Sequence, residues 1–371
     1  MNQYTSFLTG GTHSKMTSLA DAVTETLYWM GHAQCPDWKQ KVLSFISGNT
    51  YTGLASICFS ILMLTFLCIY EESEKQFNLY SVVYETCFVG SWFVPFWSLN
   101  RQTMLQLFMD LQAILHRMER DFPGRAAMGH EYVPAIRMLS KVCRYSFAAQ
   151  AVGLAMLPIS ESVCPPSIRG TWVALVLRII QSATFITMCS GAVHFYVGQI
   201  AFVLYFRGSL FLLADFLHST NESMITKIAK THAELLRVSE RRKSIFSVWN
   251  GVIFIFVFSL AVQSTYILIR GLYIPAVNAI LPLSVSSTFM MSTIGDVLEV
   301  TCERFARAVD ATQWYDKGES YKKVLIQIII RCRKPETLHA KILGAISFPF
   351  FISFSKNHYR FVQAMLNMRR D

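Results

Sequence analysis

The chain predicts an all-α membrane protein with seven transmembrane helices, its N-terminus cytosolic and its C-terminus extracellular. Three observations carry that prediction. The 371 residues are 53% hydrophobic and only 16% charged, against about 25% charged in a typical soluble domain. Seven apolar stretches recur, each near the length that crosses a hydrocarbon core of about 30 Å. The connections between them alternate between rich and poor in Lys and Arg.

The first span covers Thr50–Tyr70 and the second residues 79–99. The third covers 142–159, the fourth 184–206, the fifth 248–269 and the sixth 276–298. The seventh is Phe348–Met368. Residues 171–180 are also apolar but are flanked and interrupted by Arg169 and Arg178, so they read either as outer loop or as a helical extension of the fourth span. The first 48 residues lack the charged start, apolar core and small-residue cleavage site of a signal peptide, so the first span is expected to direct insertion.

Charge sets the orientation. The N-terminal segment and the second, fourth and sixth connections hold 26 Lys and Arg, and the opposite side holds 8. The positive-inside rule makes the first set cytosolic. This is opposite to a G-protein-coupled receptor. The sequon at Asn221 falls in a connection predicted to be cytosolic, so it should stay unglycosylated.

Long basic connections carry helical periodicity. Met104, Leu107, Phe108, Leu111, Leu115 and Met118 form one apolar stripe. Ser219 and Glu222 suit a capping box. Leu298, Cys302, Phe305 and Val309 extend the sixth span's period, and Tyr321, Val324, Leu325, Ile328, Ile329 and Cys332 form a further stripe. Pro335–Glu336 suits the first turn of another helix. Such faces need cover, from one another in a bundle or from the membrane surface; two successive stripes favour the bundle. The resulting division is 1–49 cytosolic segment, 50–298 six-helix bundle, 299–347 cytosolic anchor helices, and 348–371 last helix and tail.

Several function classes are excluded. The net charge of +10 is spent on alternate connections and forms no basic, aromatic-interleaved face, which argues against nucleic acid as a partner. No phosphate loop, His-Glu-x-x-His or Gly-x-Ser-x-Gly elbow is present, so no enzyme is expected. The nine cysteines show no metal-site spacing and mostly occupy apolar segments; only Cys164 lies clearly in an outer loop, and neither metal nor other cofactor is implied. A secondary transporter would be expected to show repeated halves, which are not evident.

The C-terminal quarter resembles the insect odorant receptor family. Trp314–Tyr315, Lys322–Lys323, Ile328–Ile329, Arg331, Lys334–Pro335, Leu338, Ala340, Phe351 and Tyr359 carry the resemblance, with a weaker match at residues 27–31 and Pro36. Lys341 stands where the family often has Gly, and Val362 where an aromatic residue is common. The resemblance implies a subunit of an odorant-gated non-selective cation channel in the plasma membrane of an olfactory neuron's dendrite. It further implies a heterotetramer with a co-receptor, a volatile ligand and a pore lined by the last span. With no long fourth-to-fifth insertion of the kind the family's co-receptor carries, the resemblance implies the ligand-tuning subunit. A gustatory-type channel and a metabotropic seven-helix receptor are the alternatives.

Val362 and Leu366, about one turn apart, are candidates for a hydrophobic gate, with Gln363 as a polar group on the conduction path. The resemblance places the odorant pocket in the outer half of the bundle, where Tyr84, Phe88, Gln150, Met188, Ser286 and Phe289 are available. Glu85, inside the second span, should face protein or water, because a carboxylate at membrane depth is costly.

Overall fold

The computed structural model describes residues 50–70, 90–121, 170–218, 222–269 and 275–368, with residues 23, 81, 84, 85, 87, 88, 134, 138, 141 and 145. The third span (Tyr145 excepted), Gln150, Ser219, Asn221 and Cys164 lie outside the described residues.

The principal elements are α1 (Thr50–Tyr70), α2 (Phe93–Asp121), α3 (Trp172–His218), α4 (Glu222–Ile269), α5 (Pro275–Asp310), α6 (Glu319–Cys332), strands β1 (His339–Ala340) and β2 (Gly344–Ala345), and α7 (Phe348–Met368). Three described stretches, in α1, α3 and α4, are long and apolar enough to cross a membrane. α1 is apolar all round, and Tyr51, Leu54, Ile61, Leu62 and Ile69 are exposed, as lipid-facing side chains should be.

α3 and α4 hold 47 and 48 residues, or about 70 Å each at 1.5 Å per residue. Each therefore runs through the bilayer and continues well beyond it. Residues 171–180 resolve as the extension of the fourth span, since helix begins at Trp172 and passes Arg178 without a break. α5 likewise continues from the sixth span past residue 298 to Asp310.

At the basic end these extensions bundle together. Met104, Leu107, Phe108, Leu111, Leu115 and Met118 of α2 are all buried, along with Leu298, Cys302, Phe305 and Val309 of α5 and Tyr321, Leu325 and Ile328 of α6. Two ion pairs tie α2 to α4: Arg117 Nη1 to Glu234 Oε2 and Arg241 Nη1 to Asp110 Oδ2, each 2.7 Å. Both are largely solvated, so they orient the helices more than they stabilise them. His232, 3% exposed, lies against the Phe305 ring, 4.8 Å between centroids. Burial and the nearby Arg331 hold its pKa down to about 4.

Pro335–Glu336 does not start a helix. The chain there is irregular and enters a small antiparallel hairpin, with His339 opposite Ala345 and Ala340 opposite Gly344. Groups on α4 take up the partners that a helix would have supplied. Arg242 Nη2 donates to the Thr337 carbonyl at 3.2 Å, Asn250 Nδ2 donates to the His339 carbonyl at 3.1 Å, and the Lys341 amide donates to the Ser247 carbonyl at 2.8 Å. Ser239 donates to Glu336 Oε2 at 2.8 Å. Gly344, at φ +87°, turns the hairpin in a region that other residues rarely adopt. Tertiary contacts have overridden a local helix signal.

Glycines set close approaches between spans. A Cβ on Gly191 would lie 2.9 Å from Phe93 Cβ, and one on Gly295 would lie within bonding distance of the Ile346 carbonyl oxygen. The hairpin's exit is thus pressed directly onto α5.

Candidate functional site

Two features of this bundle bear on function: a crevice between α3, α4 and α5, and the last helix, joined to it by the hairpin.

The crevice holds about 210 Å³ of space between atoms, its open mouth included, and is too narrow in this conformation to admit a water molecule. Phe195 and Tyr196 come from α3, Asn250, Ile253, Phe254 and Val257 from α4, and Ser287, Thr288 and Met291 from α5. Its walls are aromatic and aliphatic, which suits an apolar ligand. The hydroxyls of Ser287 and Thr288 donate to the Ser284 carbonyl in their own helix, at 3.0 and 2.9 Å. The amide of Asn250 does something else. Its Oδ1 accepts from Gln199 Nε2 at 2.9 Å while its Nδ2 serves the His339 carbonyl of the hairpin. Gln199 is fully buried, and its Oε1 has no hydrogen-bond partner among the described residues. An orphaned buried acceptor costs about 1–3 kcal/mol.

Of the residues expected in the outer pocket, Tyr84, Phe88, Met188, Ser286 and Phe289 do not line this crevice, and Gln150 lies outside the described residues. Tyr84 is buried and meets Phe59 of α1 edge-on at 6.5 Å. Phe88 is half-buried beside Trp92. Met188 is buried where Gly90 leaves room for it. Ser286 is exposed; Phe289 is turned toward the last helix, against Phe348 and Phe351 at 6.3 and 5.3 Å. The crevice positions Ser287 and Thr288 lie between those two. Glu85 is half-buried.

Among the described residues, α7 beyond its first turn packs mainly along one side, against α4. Phe350 meets Phe254 at 5.0 Å, Phe354 meets Phe258 at 5.3 Å, and Phe361 meets the same ring at 6.1 Å. His358 Nε2 lies 3.0 Å from Thr265 Oγ1 and 3.2 Å from the Ala261 carbonyl oxygen. These side chains recur at helical spacing and anchor the helix to α4. On the other side Ile352, Tyr359, Gln363 and Leu366 are exposed. Val362 is half-buried at the edge, and Gln363 Nε2 donates to the Tyr359 hydroxyl. Leu366 and Gln363 therefore fall on the free face, with Val362 beside it.

A family model described as 7tm Odorant receptor matches residues 167–359, just over half of the chain and all of the helices that form the crevice. The chain belongs to the odorant receptor family. Its fold is that of the insect olfactory receptor OR5 from Machilis hrabei, at a TM-score of 0.69 over 94% of this chain and 97% of that one, with 11% identity. The same receptor in complex with eugenol matches equally well, at 0.69. No curated protein matches. This is accordingly an all-α membrane receptor and not an enzyme.

The receptor's crevice escaped the sequence reading, although one signal pointed to it. Gln199 and Asn250 are carboxamides set in apolar spans, and polar groups at membrane depth are rarely without a task.

Proposed function

We propose that this odorant receptor is the ligand-tuning subunit of a heteromeric, odorant-gated, non-selective cation channel. An apolar volatile molecule binds within the helical bundle and opens a pore lined by α7, the protein working with a co-receptor in a heterotetramer. The N-terminus is cytosolic and the C-terminus extracellular, in the plasma membrane of a sensory dendrite.

The observation that carries the reading is the half-packed last helix. Its phenylalanine side is fixed to α4, while Ile352, Tyr359, Gln363 and Leu366 face outward. A helix crossing a bilayer with a tyrosine and a glutamine on its open side suits a water-filled path better than lipid. Leu366 and Val362 supply the hydrophobic constriction, and Gln363 a polar contact for the permeating ion. The tuning pocket comprises Tyr84, Phe88, Gln150, Met188, Ser286 and Phe289 in the outer half. The basic end of the bundle, with its charge asymmetry, supports the inward N-terminus.

Expression with and without a co-receptor, recording whole-cell currents during odorant application, tests this. Currents that appear only with the co-receptor and need no G protein support it. Currents that require an added G protein favour a metabotropic receptor instead.

A further inference from the structure

We propose that Asn250 is a positioning residue that couples the crevice between α3, α4 and α5 to the last helix, holding the channel closed through the hairpin. The inference rests on the channel reading above.

Asn250 is 2% exposed and belongs to three structures at once. It lines the crevice, it accepts from Gln199 on α3, and it donates to the His339 carbonyl on β1. β1 is joined to α7 by a short path. Ala340 pairs with Gly344, the Ile346 amide donates to the Leu338 carbonyl at 2.7 Å, and α7 begins at Phe348. With Ile346 pressed on Gly295 and Phe350 on Phe254, a shift of the hairpin is passed to α7, having no slack to absorb it.

The crevice is closed to water while Asn250 bonds both partners. Widening it draws Gln199 of α3 away from Asn250 of α4, which frees the Asn250 amide to turn, and that turn strains its bond to His339. The orphaned Gln199 Oε1 adds direction, since a ligand with a hydroxyl or amine could donate to it once the crevice widens. The occupant fitting these walls is a small, largely apolar molecule with one hydrogen-bond donor.

The test is single-channel recording of the full-length receptor with its co-receptor, with no ligand and then with eugenol as a phenolic probe. Asn250→Asp keeps the size and the acceptor for Gln199 and, recorded at a pH high enough to ionise it, removes the donor to His339. Losing one net hydrogen bond should raise ligand-free open probability about five-fold, with unitary conductance unchanged. A purely structural role would instead reduce surface density and leave open probability alone. Gln199→Met is the second variant, for use if Asn250→Asp fails to reach the surface; it should raise ligand-free opening about two-fold by loosening one side of the amide. Unchanged or lowered ligand-free opening in a variant that reaches the surface overturns the proposal. Absence of any channel events from wild type and variants alike, with eugenol present, overturns the channel reading beneath it.

Discussion

Replacing Phe354 by Ala should undock the last helix, whereas replacing Tyr359 by Ala should not. Phe354 is 7% exposed and meets Phe258 edge-on at 5.3 Å, midway along the stripe that fixes α7 to α4. Truncating a buried phenylalanine costs about 3–5 kcal/mol. α7 lies at the edge of the bundle and can partly settle into the space, so the low end applies, about 3 kcal/mol. At 1.36 kcal/mol per decade, that shifts the docked-to-undocked ratio by about 150-fold. Tyr359 is 61% exposed, and truncating it should cost about 0.5 kcal/mol or less. Thermal unfolding of the detergent-purified receptor, followed by size-exclusion chromatography after heating, reads both variants side by side. Equal losses from the two substitutions would refute the division of α7 into a packed and a free face.

Three more expectations follow from the basic end of the bundle. Arg242 is fully buried over the Phe202 ring and is electrostatically coupled to Glu336, so Arg242→Met should cost about 2–3 kcal/mol, part of it regained in the double variant with Glu336→Gln; a melting series checks it. His232 binds fewer protons folded than unfolded between its folded pKa of about 4 and its ordinary value of 6.5. Its neutral form is therefore fully stabilising above pH 6.5, and about 2 kcal/mol is lost at pH 5; His232→Gln should flatten that part of the stability–pH curve. Asn221 should carry no glycan when the receptor is expressed in a glycosylating cell, because the proposed topology puts the second, fourth and sixth connections in the cytosol, and mass spectrometry of the tryptic peptide decides it.

Much of this architecture can be read from apolar runs with polar borders. α1 and α7 fall where hydropathy places them, and the buried stripes of α2, α5 and α6 follow from their period. The lengths of α3 and α4 were not legible, because helix persists after the apolar run ends and is sustained by packing against neighbours, with Arg117 and Arg241 reaching across. Pro335–Glu336 misleads for the same kind of reason: Arg242, Ser247 and Asn250 are distant in sequence, yet they bond the backbone of the segment that follows and hold it out of a helix. The crevice depends on which side of α5 turns inward. Ser286 and Phe289 share apolar surroundings with Ser287 and Thr288, and only the packing against α3 and α4 selects the middle pair.

The central claim is that the free face of α7 borders the ion path. Cysteine substitution at Gln363 and Leu366, with a charged thiol reagent applied during recording, tests it most directly. The account predicts that modification at either position alters the open-channel current, while a cysteine at Phe354 does not respond. Currents indifferent to modification at Gln363 and Leu366, with labelling confirmed, would contradict it.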